Sequence, residues 1–177
     1  MKKIVTALFI LVLLSAAAII GFGGQQFAAG ENKDYLRIHV RANSNSEVDQ
    51  TIKYKVKDEV VKYITPYVAE CVDKPAAMKV IGGILPELEE VCDRTLRENG
   101  FNYTSRASVR EETFPTRVYG ELTLEQGIYD ALIIELGTGK GDNWWCVIYP
   151  PLCFTSATTN VEYRSAIYEI IQKFMNK

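Results

Sequence analysis

Residues 127–154 read GIYDALIIELGTGKGDNWWCVIYPPLCF, and the reading of this stretch decides the fold. Ile128 to Leu136 is a short apolar run rich in β-formers, and Trp144 to Tyr149 is a second. Gly137-Thr138-Gly139-Lys140-Gly141-Asp142-Asn143 joins them. Two β-rich runs separated by glycine, asparagine and aspartate predict a hairpin with a long loop. Pro150-Pro151 ends the second run, because proline cannot donate to a ladder of hydrogen bonds. Trp144 and Trp145 are adjacent, so on a strand they point to opposite faces. One is expected in the core and the other outside, as a candidate anchor for a partner. The glycines do not read as a phosphate loop: no Gly-Lys-Ser/Thr ending is present, and a strand follows, not a helix. Their spacing also differs from the dinucleotide-binding fingerprint.

Far upstream, Tyr35 to Ala42 (YLRIHVRA) alternates with a period of two. Leu36, Ile38, Val40 and Ala42 share one face, and Arg37, His39 and Arg41 share the other, which predicts a half-buried strand. Asn43-Ser44-Asn45-Ser46 follows, and such side chains bond nearby backbone in turns and caps. Ser46 with Asp49 predicts a helix start. The helix runs to about Glu70, with Val48, Ile52, Val56, Val60, Tyr63 and Tyr67 as its buried stripe. Asp49 with Lys53 and Asp58 with Lys62 are spaced for i,i+4 ion pairs. Lys53, Lys55, Lys57 and Lys62 read as a solvated face.

Asp73-Lys74-Pro75 begins a second helical piece, broken at Gly82-Gly83 and Pro86. A better helix spans about Pro86 to Asn99, with Leu88, Val91, Cys92, Thr95 and Leu96 inward and Gly100 as its stop. Phe101 to Glu112 is extended, and Thr116 to Leu124 is a further strand or irregular edge. Val161 to Met175 closes the chain as an amphipathic helix, with Thr159 and Glu162 spaced as a capping box. Its positions Ile167, Ile170, Ile171 and Phe174 are expected to pack on the sheet. The order of elements predicts an α+β fold, with helices packed on a mainly antiparallel sheet.

The other end of the chain points to export. Met1-Lys2-Lys3 precedes an apolar run from Ile4 to Ile20, whose length lies between that of a signal peptide and a membrane span. Residues 1–30 are therefore expected to be a signal peptide or membrane anchor with a linker, and residues 31–177 a single exported domain. Without Lys2 and Lys3 the formal charge moves two units below its whole-chain value of −2, which speaks against a general nucleic-acid binder.

Cys71, Cys92, Cys146 and Cys153 all lie in the exported part, where an even count favours disulfides with three possible pairings. The Pro150-Pro151 turn favours Cys146 with Cys153, which leaves Cys71 with Cys92 to tie two helices. No metal site is expected, since Cys-x-x-Cys spacing is missing and His39 is the sole histidine. No cofactor motif is present. Ser44 and Ser46 follow His39 closely, but turn and cap duties account for them. Glu111, Glu112, Glu121 and Glu125 have no spacing that makes them converge. A non-enzymatic exported domain is the expectation; an exported wall hydrolase and a wall- or lipid-binding module are the alternatives.

Two separated blocks resemble the stage II sporulation protein R family of endospore-forming bacteria. The first is HVRANSNSEVDQTIKYKVKDEV at residues 39–60, and the second is GTGKGDNWWCVIYPPLCF at residues 137–154. Phe114-Pro115-Thr116 and Tyr119-Gly120 are similar to the segment that links them. Asn45 stands where the family commonly has Asp, and Lys57 where Arg is usual. Of the four cysteines, only Cys146 and Cys153 lie within the blocks. The resemblance implies a signalling protein made in the forespore and exported into the space between the forespore and mother-cell membranes. There such proteins trigger a membrane-embedded aspartic protease that cleaves the sigma-E precursor. As polar, turn-rich segments beside aromatic residues, the loop Gly137 to Asn143, one of Trp144 and Trp145, and the turn Asn43, Ser44, Asn45 and Ser46 are the expected partner-binding surface.

Overall fold

The computed structural model describes residues 34–120, 122–154 and 168–174. The expected signal or anchor segment, the residue 159–162 capping box and the side chain of Glu121 lie outside them. Four strands form the main sheet: β1 (Leu36–Arg41), β2 (Ser105–Phe114), β5 (Gly127–Leu136) and β6 (Asn143–Tyr149). Two short strands, β3 (Arg117–Tyr119) and β4 (Leu122–Leu124), pair only with each other. Helices α1 (Glu47–Ala69), α2 (Lys74–Gly83) and α3 (Leu85–Glu98) lie between β1 and β2 in the chain. Residues 168–174 form a further helical segment, α4. The class is α+β with a mainly antiparallel mixed sheet, as the sequence predicts.

The strand order is β2-β5-β1-β6, and it corrects the hairpin expected from residues 127–154. β5 and β6 do not pair; β1 lies between them. It runs parallel to β5, with Ile38 opposite Leu132, and antiparallel to β6, with Ile38 opposite Cys146. A tight turn could not connect strands that are two positions apart, about 9.6 Å. The glycine-rich loop 137–142 is long enough, and it arches over the end of β1.

A central position also corrects the reading of β1 as half-buried. Arg37 and His39 are both 0 % exposed. Period-two alternation reports which residues share a face but not whether water reaches it. Here Phe114, Tyr129 and Trp145 cover the arginine-histidine face. The sheet therefore has two cores. The larger joins Leu36, Ile38, Val40, Leu132, Ile134 and Leu136 to the helices; the smaller contains Tyr35, Phe114, Tyr129, Ala131, Ile133 and Val147.

Local signals set the helix ends. Ser46 Oγ accepts from the Asp49 amide as the cap of α1, and Asp73 Oδ1 accepts from Ala76 at the start of α2. Gly100 takes φ 82° after α3, a conformation that strains other residues. All five residues assigned to the inner face of α3 are buried. The α1 stripe differs: Ile52, Val56 and Val60 are buried, but Val48 is 63 % and Tyr67 36 % exposed. Asp49 and Lys53 turn inward in their place.

The expected Asp49–Lys53 and Asp58–Lys62 ion pairs do not form; Lys57 meets Asp58, and Lys62 meets Glu59. At the outer edge of β2, α3 supplies carboxylates as caps. Asp93 accepts from the Ser105 amide at 2.6 Å, and Glu89 from the Ala107 amide at 2.8 Å. Of the α4 residues expected to pack inward, Ile170, Ile171 and Phe174 do so, Phe174 at 5.2 Å from the Tyr35 ring.

Candidate functional site

The two sequence blocks meet in space. Loop 137–142 arches over residues 42–45, and the two segments are joined by a dense set of hydrogen bonds. Asn43 Oδ1 accepts from the Thr138 amide at 2.9 Å, and the Asn43 carbonyl accepts from Thr138 Oγ1 at 2.7 Å. The Gly141 amide donates to the Ala42 carbonyl at 2.8 Å, and the Asp142 amide to Asn45 Oδ1 at 2.7 Å. Gly137 and Gly139 both adopt positive φ, so the arch follows a path other residues resist.

Asp49 anchors the arrangement from below. Its carboxylate accepts from Ser44 Oγ, Asn43 Nδ2 at 2.9 Å and the Tyr103 hydroxyl at 2.7 Å. Burial disfavours its charged form, yet the bonds from Ser44, Tyr103, Asn43 and Ser46 together outweigh burial and hold the carboxyl below its ordinary range. Lys53 reaches across to donate to the Asp142 carbonyl at 3.1 Å and to Gln50 Oε1 at 2.6 Å. Burial lowers its pKa, against the opposing pull of Asp142.

The geometry divides the residues chosen from the sequence. Asn43, Ser44 and Asn45 spend side-chain bonds on internal partners, and Ser46 caps α1. Asn45 and Ser46 nevertheless remain exposed, as do Thr138, Lys140 and Asp142. Asn143 belongs to β6 opposite Arg41, and its Oδ1 is buried without a partner among the described residues. Trp144 and Trp145 face opposite sides, as adjacent strand residues must, and both are half-buried. Trp144 lies under Lys57, with 5.3 Å from Nζ to the ring centroid; Trp145 packs on His39 at 4.7 Å.

Asp49, Lys53 and Tyr103 are not among the partner-surface residues expected from the sequence. Two of them had a usable signal: Asp49 and Lys53 fall on the buried helical repeat of Ile52, Val56 and Val60. Polar residues at apolar positions mark an internal network.

Cys146 and Cys153 form a disulfide with 6.1 Å between their Cα atoms. Cys71 and Cys92 are instead separate buried thiols, which corrects the second pairing. Cys71 follows the end of α1 and donates to the Tyr67 carbonyl, whereas Cys92 is enclosed within α3. Burial pushes the Cys92 thiol up to about 12.

His39 is no general base in this state. Burial, reinforced by Arg41, Arg110 and Arg37, depresses its pKa to about 3, and both ring nitrogens lack partners among the described residues. Ser44 donates to Asp49 and Ser46 caps a helix, so neither is poised as a nucleophile. Among the described residues no cluster of His, Cys, Asp and Glu is suited to a metal.

The family model for stage II sporulation protein R matches residues 32–159, which include both interlocked segments. The stage II sporulation protein R of Bacillus subtilis (strain 168) is 35 % identical over 161 residues, covering 87 % of this chain and 72 % of that protein. No solved structure matches. With a family match over most of its length and a relative of this identity, the chain belongs to the stage II sporulation protein R family.

Proposed function

We propose that this protein is an exported sporulation signal. It binds a membrane-embedded aspartic protease in the space between forespore and mother-cell membranes and switches on cleavage of the sigma-E precursor. Family membership supports the sporulation role. The observation that carries the binding role is the interlock of residues 42–46 with loop 137–142. Hydrogen bonds hold two distant segments in one shape while Asn45, Ser46, Thr138, Lys140 and Asp142 stay exposed. A pre-shaped surface loses less entropy when a partner docks. Apolar contact area lies beside it: Val48 is 63 % exposed, and Tyr54, beside Lys53, is 50 % exposed.

In this reading Asn43 and Ser44 shape the surface from within, while Asn45 and Ser46 belong to its outer face. Trp144 and Trp145 support β6 from its two sides. The test adds purified residues 31–177, oxidised, outside wall-stripped cells that carry the protease and the precursor. A second arm supplies the full chain from its own N-terminal segment. Cleavage that depends on the protein is the expected result. A folded protein that triggers no cleavage in either arm overturns the reading.

A further inference from the structure

Arg37 is among the largest fully enclosed side chains of the fold. Its guanidinium carbon lies 4.2 Å from the ring centroid of Phe114, 4.6 Å from that of Tyr129 and 5.8 Å from that of Tyr119. Nη2 donates to the Tyr119 hydroxyl at 2.9 Å, whereas Nε and Nη1 have no hydrogen-bond acceptor among the described residues. His39 follows on the same face of β1, between Trp145 and Phe114, and its ring nitrogens are also unpartnered among the described residues. The carboxylates that share this face, Glu112 and Glu135, are paired with Arg41 and Arg110. Glu125 is exposed and accepts from Thr116. Among the described residues Arg37 has no counter-ion.

An enclosed cation without a counter-ion is costly, and three ring faces with the neutral hydroxyls of Tyr119 and Tyr129 compensate it only in part. The cover over it is a short ribbon. Tyr119 ends β3, and the β3–β4 ribbon has three residues per strand and no ladder to the main sheet. Tyr119, Leu122 and Leu124 hold the ribbon to the smaller core through side chains alone.

We propose that Arg37 is a carboxylate-binding site, with the β3–β4 ribbon as its cover and the Tyr119 hydroxyl as the group the ligand displaces. A guanidinium offers planar paired donors that match a carboxylate. One cation between aromatic walls suits a single negative charge, whereas a phosphate dianion calls for a second, and neutral His39 does not supply it. This inference does not depend on the signalling reading.

The test is a side-chain NMR titration of the full-length, 15N-labelled chain in mild detergent. The Arg37 Nε–H resonance is assigned by its loss in Arg37→Lys, which has no such group. Sodium acetate is expected to shift it saturably, sodium chloride of equal ionic strength is not, and inorganic phosphate binds more weakly. Tyr119→Phe removes the competing hydroxyl and tightens acetate binding several-fold. A blocked pentapeptide with a central aspartate separates the ligand sources. Tighter binding than acetate assigns a polypeptide side chain, and binding of acetate alone assigns a small acid. The site is overturned if wild type and Tyr119→Phe both show no saturable shift, if chloride acts equally, or if phosphate binds more tightly.

Discussion

Gly141 and Ser44 touch backbone to backbone: a β-carbon at position 141 would lie 2.3 Å from the Ser44 carbonyl oxygen and 2.6 Å from its carbonyl carbon. Neither atom belongs to a side chain that can rotate away. Gly141→Ala is therefore expected to lift the arch off residues 42–45, with a loss on the order of 3 kcal/mol of stability. Gly139→Ala is the comparison. That residue has φ 61°, and its added carbon meets Glu135 Cβ at 3.2 Å, a contact relieved by a shift of a few tenths of an ångström, so the loss is smaller, about 1–2 kcal/mol. Urea unfolding of both variants checks the order; equal losses would mean that Gly141 does not lock the two segments.

The thiol chemistry separates one disulfide from two. Alkylation of the oxidised native protein is expected to modify neither Cys71 nor Cys92, because both are buried. After denaturation without reductant, mass spectrometry is expected to find both labelled and Cys146 linked to Cys153. A Cys71–Cys92 bridge would leave the denatured protein unlabelled. Replacing Cys146 and Cys153 together by alanine frees a short loop, at a cost of about 2 kcal/mol.

Acid is expected to weaken the fold in two separable windows. His39 in the unfolded chain takes a proton below about pH 6.5, whereas in the fold it does so only near pH 3. The unfolded state binds the extra proton across that interval, so falling pH favours unfolding by up to about 1.4 kcal/mol per unit. Asp49 acts lower. Its folded pKa lies below the ordinary value of 3.8, so its contribution is intact above that value and is lost as pH falls through the folded pKa. Urea titrations of His39→Phe are expected to flatten the upper window, and those of Asp49→Asn the lower one. An unchanged slope between pH 6 and 4 in His39→Phe would show that His39 is not held neutral.

These elements differ in how far the sequence exposed them, and the difference is physical. Ser46, Asp73 and Gly100 act through bonds or dihedrals within a few residues, so the bounds of α1, α2 and α3 were legible. Strand order depends on which distant segments meet. Nothing between Leu136 and Asn143 distinguishes a loop that closes a hairpin from one that arches over β1. The burial of Arg37 and His39 was hidden for the same reason, since their cover comes from Phe114, Tyr129 and Trp145. The candidate site was legible as two polar segments. Their division of labour was not, because Asn43 and Ser44 look no different in sequence from exposed turn residues until Thr138 and Asp49 are placed beside them.

The proposed docking surface makes a prediction of its own, because its apolar neighbours can be altered without touching the arch. Val48 and Tyr54 project from the exposed side of α1, so Val48→Ala and Tyr54→Ala are expected to change stability by less than about 0.5 kcal/mol. Truncating a contact residue at a protein interface costs more than about 1 kcal/mol at the minority of positions that carry the affinity. The double variant is expected to lower precursor cleavage about tenfold in the wall-stripped-cell assay, recovering at higher protein concentration because binding is what weakens. Val72 is 77 % exposed and lies beyond the far end of α1, so Val72→Ala is the control. Full cleavage by the Val48/Tyr54 variant, or an equal loss from Val72→Ala, would move the docking surface away from the N-terminal half of α1.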